Sequence, residues 1–267
     1  MSGKQERSMG WAGRTVLITG GTSGTGLRAA ERFLDLGANV VVNGRDAERS
    51  EAAVMELRGR AANRIALALG DCSDYEQAAT VVATAVSTFG GLDVLVSAGA
   101  SGTGAPKPFA RMTPDEVLSG LVSRYSARVF PVHAAIPHLR GRPGANAVLL
   151  TTDAGRHVTV GESVIGAYAA SIIQLTKSLA RELSRDRVRV NGVSMTLTAD
   201  SRSWDRIFSE DSFQSRLFAK AVAAFPFGTP PESIDVAEAV VFLASPQASQ
   251  ISGQTISVNG ALSFGGW

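Results

Sequence analysis

A short apolar run that passes straight into a glycine-rich turn and then into a helix constrains this chain more than any other stretch. Arg14-Thr-Val-Leu-Ile-Thr19 is apolar and β-branched and has glycine on both sides, which is the pattern of a buried strand. Gly20-Gly21-Thr22-Ser23-Gly24-Thr25-Gly26 follows without a break. Leu27, Ala30, Phe33, Leu34 and Leu36 then recur at helical spacing until Gly37, which stands where a helix C-terminal cap belongs. A strand that enters a helix through glycines lets a phosphate approach the backbone at the positive end of the helix.

The alternation continues. Asn39-Val-Val-Val42 reads as a second strand, residues 46–58 as a helix and Ile65 to Leu69 as a third strand. Residues 75–89 read as a helix, capped by Asp74 or Ser73 and ending at Gly90-Gly91, and Leu92 to Val96 as a fourth strand. Strands alternating with helices of this length predict an α/β fold, a Rossmann-type doubly wound parallel sheet in a single domain spanning residues 11–267, with ligands at the carboxyl ends of the strands. The tip of the second strand, Asn43-Gly44-Arg45-Asp46, bears on which ligand. An acidic residue there would bind the ribose hydroxyls of NAD, whereas Arg45 suits the 2′-phosphate of NADP. NADP is therefore expected over NAD, with Asp46 as the competing partner for Arg45.

Composition removes several function classes. The formal net charge is only +2, and of 26 basic residues 22 are Arg. The local cluster from Arg181 to Arg189 is broken by Glu182 and Asp186, so no nucleic-acid partner is expected. A single cysteine, Cys72, rules out an intrachain disulfide and fits a reducing cytoplasm. No His/Cys spacing suggests a metal site. Residues 1–10 read as a flexible, polar N-terminus without a signal peptide, and no apolar run reaches the ~18 residues of a membrane span.

The chain is identified on these motifs as a member of the short-chain dehydrogenase/reductase family, over about residues 12–262. Thr19-Gly20-xxx-Gly24-x-Gly26 resembles the family's cofactor motif, and Asp71 falls where the family places an Asp against the adenine ring. Residues 227–260 resemble its last helix and strand. The resemblance implies cofactor contacts from Gly20, Thr22, Ser23, Gly24, Thr25, Gly26, Arg45, Asp71, Ala98, Gly99 and Thr198. It also implies a homodimer or homotetramer and a substrate lid at about residues 198–226, where Trp204, Phe208, Phe213, Phe218 and Phe225 suggest a bulky apolar or aromatic substrate, or packing onto the domain or a neighbouring subunit.

The reaction half departs from the family. Gly166-Ala-Tyr168-Ala-Ala-Ser-Ile172 to Lys177 reads as a helix, so Tyr168 and the side chain at position 172 share a face. The resemblance implies a Tyr acid assisted by a Lys four residues on, but that position is Ile172. Lys177, nine residues on at about 100° each, points to the opposite side. An ordinary Tyr titrates near ~10, so without a neighbouring cation it is a poor base at neutral pH. The family's Ser corresponds to Thr152, followed by a loop about three residues longer than usual. Its Asn corresponds to Arg124, its Asn-Asn-Ala-Gly to Val96-Ser-Ala-Gly99 and its Pro-Gly to Met195-Thr196.

Tyr168, Thr152 and Arg124 are thus the candidate catalytic residues; Arg124 either points into the volume of the missing Lys, where it would restore some depression of the Tyr168 pKa or bind a substrate carboxylate, or lies on the helix surface or at a subunit contact. Asp153, His157 and Glu162 are further loop candidates for acid–base work. The expected activity is that of an atypical NADP-dependent oxidoreductase on a carbonyl or alcohol of a small molecule, of the kind met in secondary metabolism. The alternative is a non-redox dehydratase, cyclase or isomerase, or a silent dinucleotide-binding protein.

Overall fold

The computed structural model describes residues 10–99 and 106–264. Strands and helices alternate as β1 (Thr15–Thr19), α1 (Gly24–Asp35), β2 (Asn39–Gly44), α2 (Ala47–Ala61), β3 (Ile65–Leu69), α3 (Tyr75–Phe89), β4 (Val94–Ser97) and α4 (Pro114–Leu139). They continue as β5 (Asn146–Thr152), α5 (Ser163–Glu182), β6 (Arg189–Met195), α6 (Arg202–Phe208), α7 (Phe213–Ala223), α8 (Ser233–Ala244) and β7 (Thr255–Val258). All neighbouring strands are parallel, in the order β3-β2-β1-β4-β5-β6-β7. The order reverses between β1 and β4, and a ligand crevice opens at such a point on the carboxyl edge.

Every residue of β1 is buried, as a strand covered on both faces requires. On one face Phe33 and Leu34 of α1 pack with Leu57 of α2 and Val240 and Leu243 of α8. On the other, residues of α3, α4 and α5 cover Leu17, Leu95 and Leu149, and this second core contains both Tyr168 and Ile172.

Several expected boundaries shift for local reasons. α2 runs to Ala61, three residues beyond the reading from spacing, and α5 begins at Ser163, before Gly166. The fourth strand opens at Val94, and just before it the Asp93 carboxylate accepts from the Thr15 amide at 2.8 Å and from Arg142 Nε at 2.9 Å. Asp74, not Ser73, caps α3 by accepting from the Gln77 amide at 2.9 Å. Asp46 caps α2 through the Arg49 amide and pairs with the Arg49 guanidinium at 2.9 Å.

The N-terminal expectation falls almost wholly on residues 1–9, outside the described residues. The predicted lid region holds α6 and α7, with Ile207 and Phe225 buried and the rings of Trp204 and Phe208 4.6 Å apart. Its base is joined to the start of α8: the Ala199 amide donates to Pro231 O at 2.9 Å, and the Ser233 amide to Asp200 Oδ1 at 2.8 Å. Among the described residues no helix is long and apolar enough to cross a membrane.

Candidate active site

The glycine-rich turn lies between β1 and α1 at the reversal of strand order. Gly20 has φ +67, and a Cβ there would stand 2.7 Å from the Gly99 Cα; a Cβ on Gly26 would fall on the Gly20 carbonyl. Only glycine lets the turn, the helix start and the end of β4 approach one another this closely. Thr19 Oγ1 fixes the arrangement by accepting from the amides of Ala98 and Gly99, each at 3.1 Å. Ser23, at the N-cap of α1, makes no side-chain cap bond, and the first turn holds no acidic residue. The turn therefore presents amide donors and positive helix potential with no competing carboxylate, which is the donor set a pyrophosphate needs.

At the tips of β2 and β3 the expected residues meet. Asn43 is buried and structural: Nδ2 donates to the carbonyls of Ala68 and Gly70, both at 3.0 Å, and Oδ1 accepts from Cys72 Sγ at 3.3 Å. Burial, helped by the Asp71 charge, pushes the Cys72 thiol up to about 12, so it is an inert neutral donor. The exposed Arg45 pairs with Asp71 at 3.2 Å. Burial pushes the Asp71 carboxyl upward, but hydrogen bonds from the Ser73 amide and hydroxyl and from Arg45 outweigh it and hold it below its ordinary value. The predicted adenine and 2′-phosphate contacts are thus one connected pair.

The reaction half is built where β5, α4 and α5 converge. A Cβ on Gly166 would come within 2.6 Å of the Ala154 carbonyl, and Thr151 Oγ1 donates to Ala169 O at 3.3 Å, so α5 lies directly against the end of β5. That contact brings the end of β5, which carries Thr152, and the turn of α5 that carries Tyr168 together across a 16-residue separation. Thr152 Oγ1 accepts from the Ala154 amide at 3.4 Å, which leaves its hydroxyl proton for another acceptor. Tyr168 is buried, Ile172 is completely buried beneath it, and Lys177 is exposed on the far side of α5.

Two guanidiniums on α4 lie within electrostatic reach of Tyr168, those of Arg124 and Arg128. Arg128 was not singled out by the sequence. It is 5% exposed, its Nε donates to Leu150 O at 2.8 Å, and its own carbonyl accepts from Ser97 Oγ at 2.8 Å. Arg124 is half-buried and turns back along α4, Nη1 donating to Gly120 O at 3.0 Å. Burial lowers the proton affinity of both guanidiniums, yet an Arg keeps its charge.

A family model described as enoyl-(acyl carrier protein) reductase matches residues 20–263. A 2,3-dihydroxy-2,3-dihydro-p-cumate dehydrogenase from Pseudomonas putida is 30% identical over 266 residues, 97% of this chain and 98% of that one. An NADPH-bound structure of a short chain oxidoreductase from Pseudomonas aeruginosa PAO1, described as containing an atypical catalytic center, superposes with TM-score 0.85 at 31% identity, covering 94% and 96% of the two chains. The chain belongs to the short-chain dehydrogenase/reductase family. A 3-oxoacyl-[acyl-carrier-protein] reductase from Staphylococcus aureus is a further family relative, 30% identical over 93% of this chain and 98% of its own length.

Of the three loop candidates, Asp153 departs from the expectation. Asp153 is no free acid in a loop. It is 4% exposed and accepts from Ser194 Oγ at 2.6 Å, Asn259 Nδ2 at 2.7 Å, Ser257 Oγ at 2.8 Å and Ser263 Oγ at 3.1 Å. Burial alone would raise its pKa, but these four donors lower it, so at neutral pH the carboxylate is a charged tie among β5, β6, β7 and the segment after β7. His157 has a buried Nε2 without a partner among the described residues. Glu162, at the start of α5, is pushed up to about 7 by burial, against the hydrogen bond with Thr159 and the charge of Arg124. Thr198 is buried with its hydroxyl donating to Thr196 O at 3.1 Å, and Met195 packs against the first core. Among the described residues no group of His, Cys, Asp and Glu could hold a metal ion.

Proposed function

We propose that this protein is an NADP-dependent oxidoreductase that interconverts a carbonyl and an alcohol on a small molecule. The observation that carries it is the coincidence at one carboxyl edge of an amide-lined phosphate turn, Arg45 at the tip of β2, and the Thr152–Tyr168 pair beside two guanidiniums. The NADPH-bound relative from Pseudomonas aeruginosa supports the cofactor assignment. Gly20, Thr22, Ser23, Gly24, Thr25 and Gly26 would hold the pyrophosphate, Arg45 the 2′-phosphate and Asp71 the adenine, with Ala98, Gly99 and Thr198 lining the crevice. The cofactor supplies the hydride.

The protein's own residues handle the oxygen and its proton. The Thr152 hydroxyl donates to the substrate oxygen and fixes its position. Tyr168 gives its phenolic proton to that oxygen as negative charge develops on it, and takes it back in the oxidative direction. The phenol oxygen then carries negative charge, which the guanidiniums of Arg128 and Arg124 stabilise in a site largely closed to water. They do the work that a Lys at position 172 does elsewhere in the family. Sequence alone points to Arg124 for this part; the deeper burial of Arg128 supports its sharing the role.

Titration with NADPH and NADP, followed by absorbance of the reduced cofactor with a panel of ketones, tests the reading. Tyr168→Phe should keep NADPH affinity while turnover falls at least about a hundredfold. Cofactor binding without oxidation by any ketone would favour the non-redox alternative, and absence of binding would remove the dinucleotide premise.

A further inference from the structure

The predicted lid is anchored at its C-terminal end by a chain of contacts that begins beside Thr152. Phe225 is 5% exposed, whereas Ala223, Ala224, Pro226 and Phe227 around it are open to solvent. Its ring rests on Gly260: a Cβ there would stand 3.0 Å from Phe225 Cδ1 and 3.4 Å from Cε1. Gly260 and Ala261, with φ of +55 and +62, form the centre of a turn closed by the Leu262 amide, which donates to Asn259 O at 2.9 Å. An alanine holds a left-handed conformation only where its surroundings impose it. Asn259 does so here, its Oδ1 accepting from the Ala261 amide at 3.1 Å and its Nδ2 donating to Ser263 O at 2.6 Å. The same Nδ2 donates to Asp153 Oδ2 at 2.7 Å, and Ser263 Oγ donates to that oxygen at 3.1 Å. On the other carboxylate oxygen, Ser257 Oγ of β7 donates at 2.8 Å while accepting from Arg156 Nη1 at 3.1 Å. The Asp153 carboxylate thus fixes the turn, and the turn is the seat of Phe225. From this base α7 reaches across to the segment before α4, where Gln214 Nε2 donates to Pro106 O at 3.4 Å.

We propose that Asp153 is a positioning residue for the substrate, holding the lid in place over the site through the Asn259–Ser263 turn and Phe225. Asp153 touches neither the reacting atoms nor the phosphate turn, so its effect falls on substrate binding and not on proton transfer or on the cofactor. The proposal rests on the reductase reading of the same site and on residues 198–226 as its lid.

Hydrogen exchange on the purified protein, together with steady-state kinetics on NADPH and a panel of ketones, tests it. Asp153→Asn and Phe225→Ala should each speed amide exchange in α6 and α7 at least about tenfold and leave α1 to α3 at the wild-type rate. Each should raise ketone KM at least about fivefold, with kcat and NADPH affinity changed less than about twofold. Phe225→Leu, which refills most of the seat, should stay within about twofold of wild type in KM. The double variant should be no worse than Phe225→Ala alone, because both changes cut the same chain of contacts. Effects that multiply in the double variant, lid exchange at the wild-type rate in Asp153→Asn, or a loss falling on kcat and NADPH affinity as much as on KM would overturn the proposal while leaving the reductase reading intact. Should Asp153→Asn fail to fold, Ser263→Ala removes a single donor; faster lid exchange in it supports the proposal and unchanged exchange overturns it. If no ketone oxidises NADPH, the reductase reading fails, and lid exchange alone then decides whether Asp153 holds the lid.

Discussion

At the scale of single residues, Ile172 shows how burial changes the meaning of a substitution. From sequence alone, Ile172→Lys should raise reductase activity if the missing Lys is the only defect. In the folded protein Ile172 is completely buried in a packed core on the same side of the sheet as the buried Arg128, so a Lys there adds an unpaired buried cation. We expect Ile172→Lys to destabilise by about 3 kcal/mol, to lower Tm by roughly 6–12 °C, and to bring no gain in turnover; a variant with unchanged Tm and higher kcat would reverse this account. Arg45 is the second residue whose role is separable. Arg45→Ala should weaken NADPH binding about ten- to a hundredfold and leave NADH binding unchanged, measured by fluorescence titration; equal loss for both cofactors would remove Arg45 from 2′-phosphate recognition.

At the scale of elements, α5 packs on the end of β5 near Thr152, and Asp153 adds a tie from that junction to β6 and β7. Its folded pKa is lowered, so its contribution to stability is fully present above the ordinary carboxylate value near ~3.9 and is lost as pH falls through the lower folded value. Urea denaturation at neutral pH and near pH ~3 should therefore show a larger loss for the wild type than for Asp153→Asn. The variant should be less stable at neutral pH, because Ser194, Ser257, Asn259 and Ser263 lose a charged acceptor. Identical acid sensitivity of the two proteins would mean that the Asp153 charge contributes nothing.

At the scale of the whole molecule, an apolar strip remains uncovered beside the site. Phe109, Leu118 and Val122 are 59%, 64% and 51% exposed, and Phe109, Met112, Pro114, Val117, Leu118 and Leu121 line one groove at the start of α4. Apolar surface of this kind is removed from water by association. We expect light scattering to give the mass of a dimer or tetramer and Leu118→Glu to shift it toward the monomer; a wild-type monomer at micromolar concentration would contradict the expectation of a homo-oligomer.

The sequence by itself determined the sheet, the phosphate turn and the list of departures in the reaction half. Those features are written in short-range pattern: apolar runs bounded by glycine, helical spacing, and a turn only glycine can make. It could not reveal that Arg128 is buried beside Tyr168, because that charge is satisfied by Leu150 O, 22 residues away, and by a helix packing that no local spacing encodes. Nor could it distinguish Asp153, fixed by donors from residues 194 to 263, from an acid in a free loop. The tertiary structure decided where the charges lie, how dry they are and which of them face one another. Desolvation and Coulomb energy depend on distances between remote segments, and those distances exist only once the chain has packed.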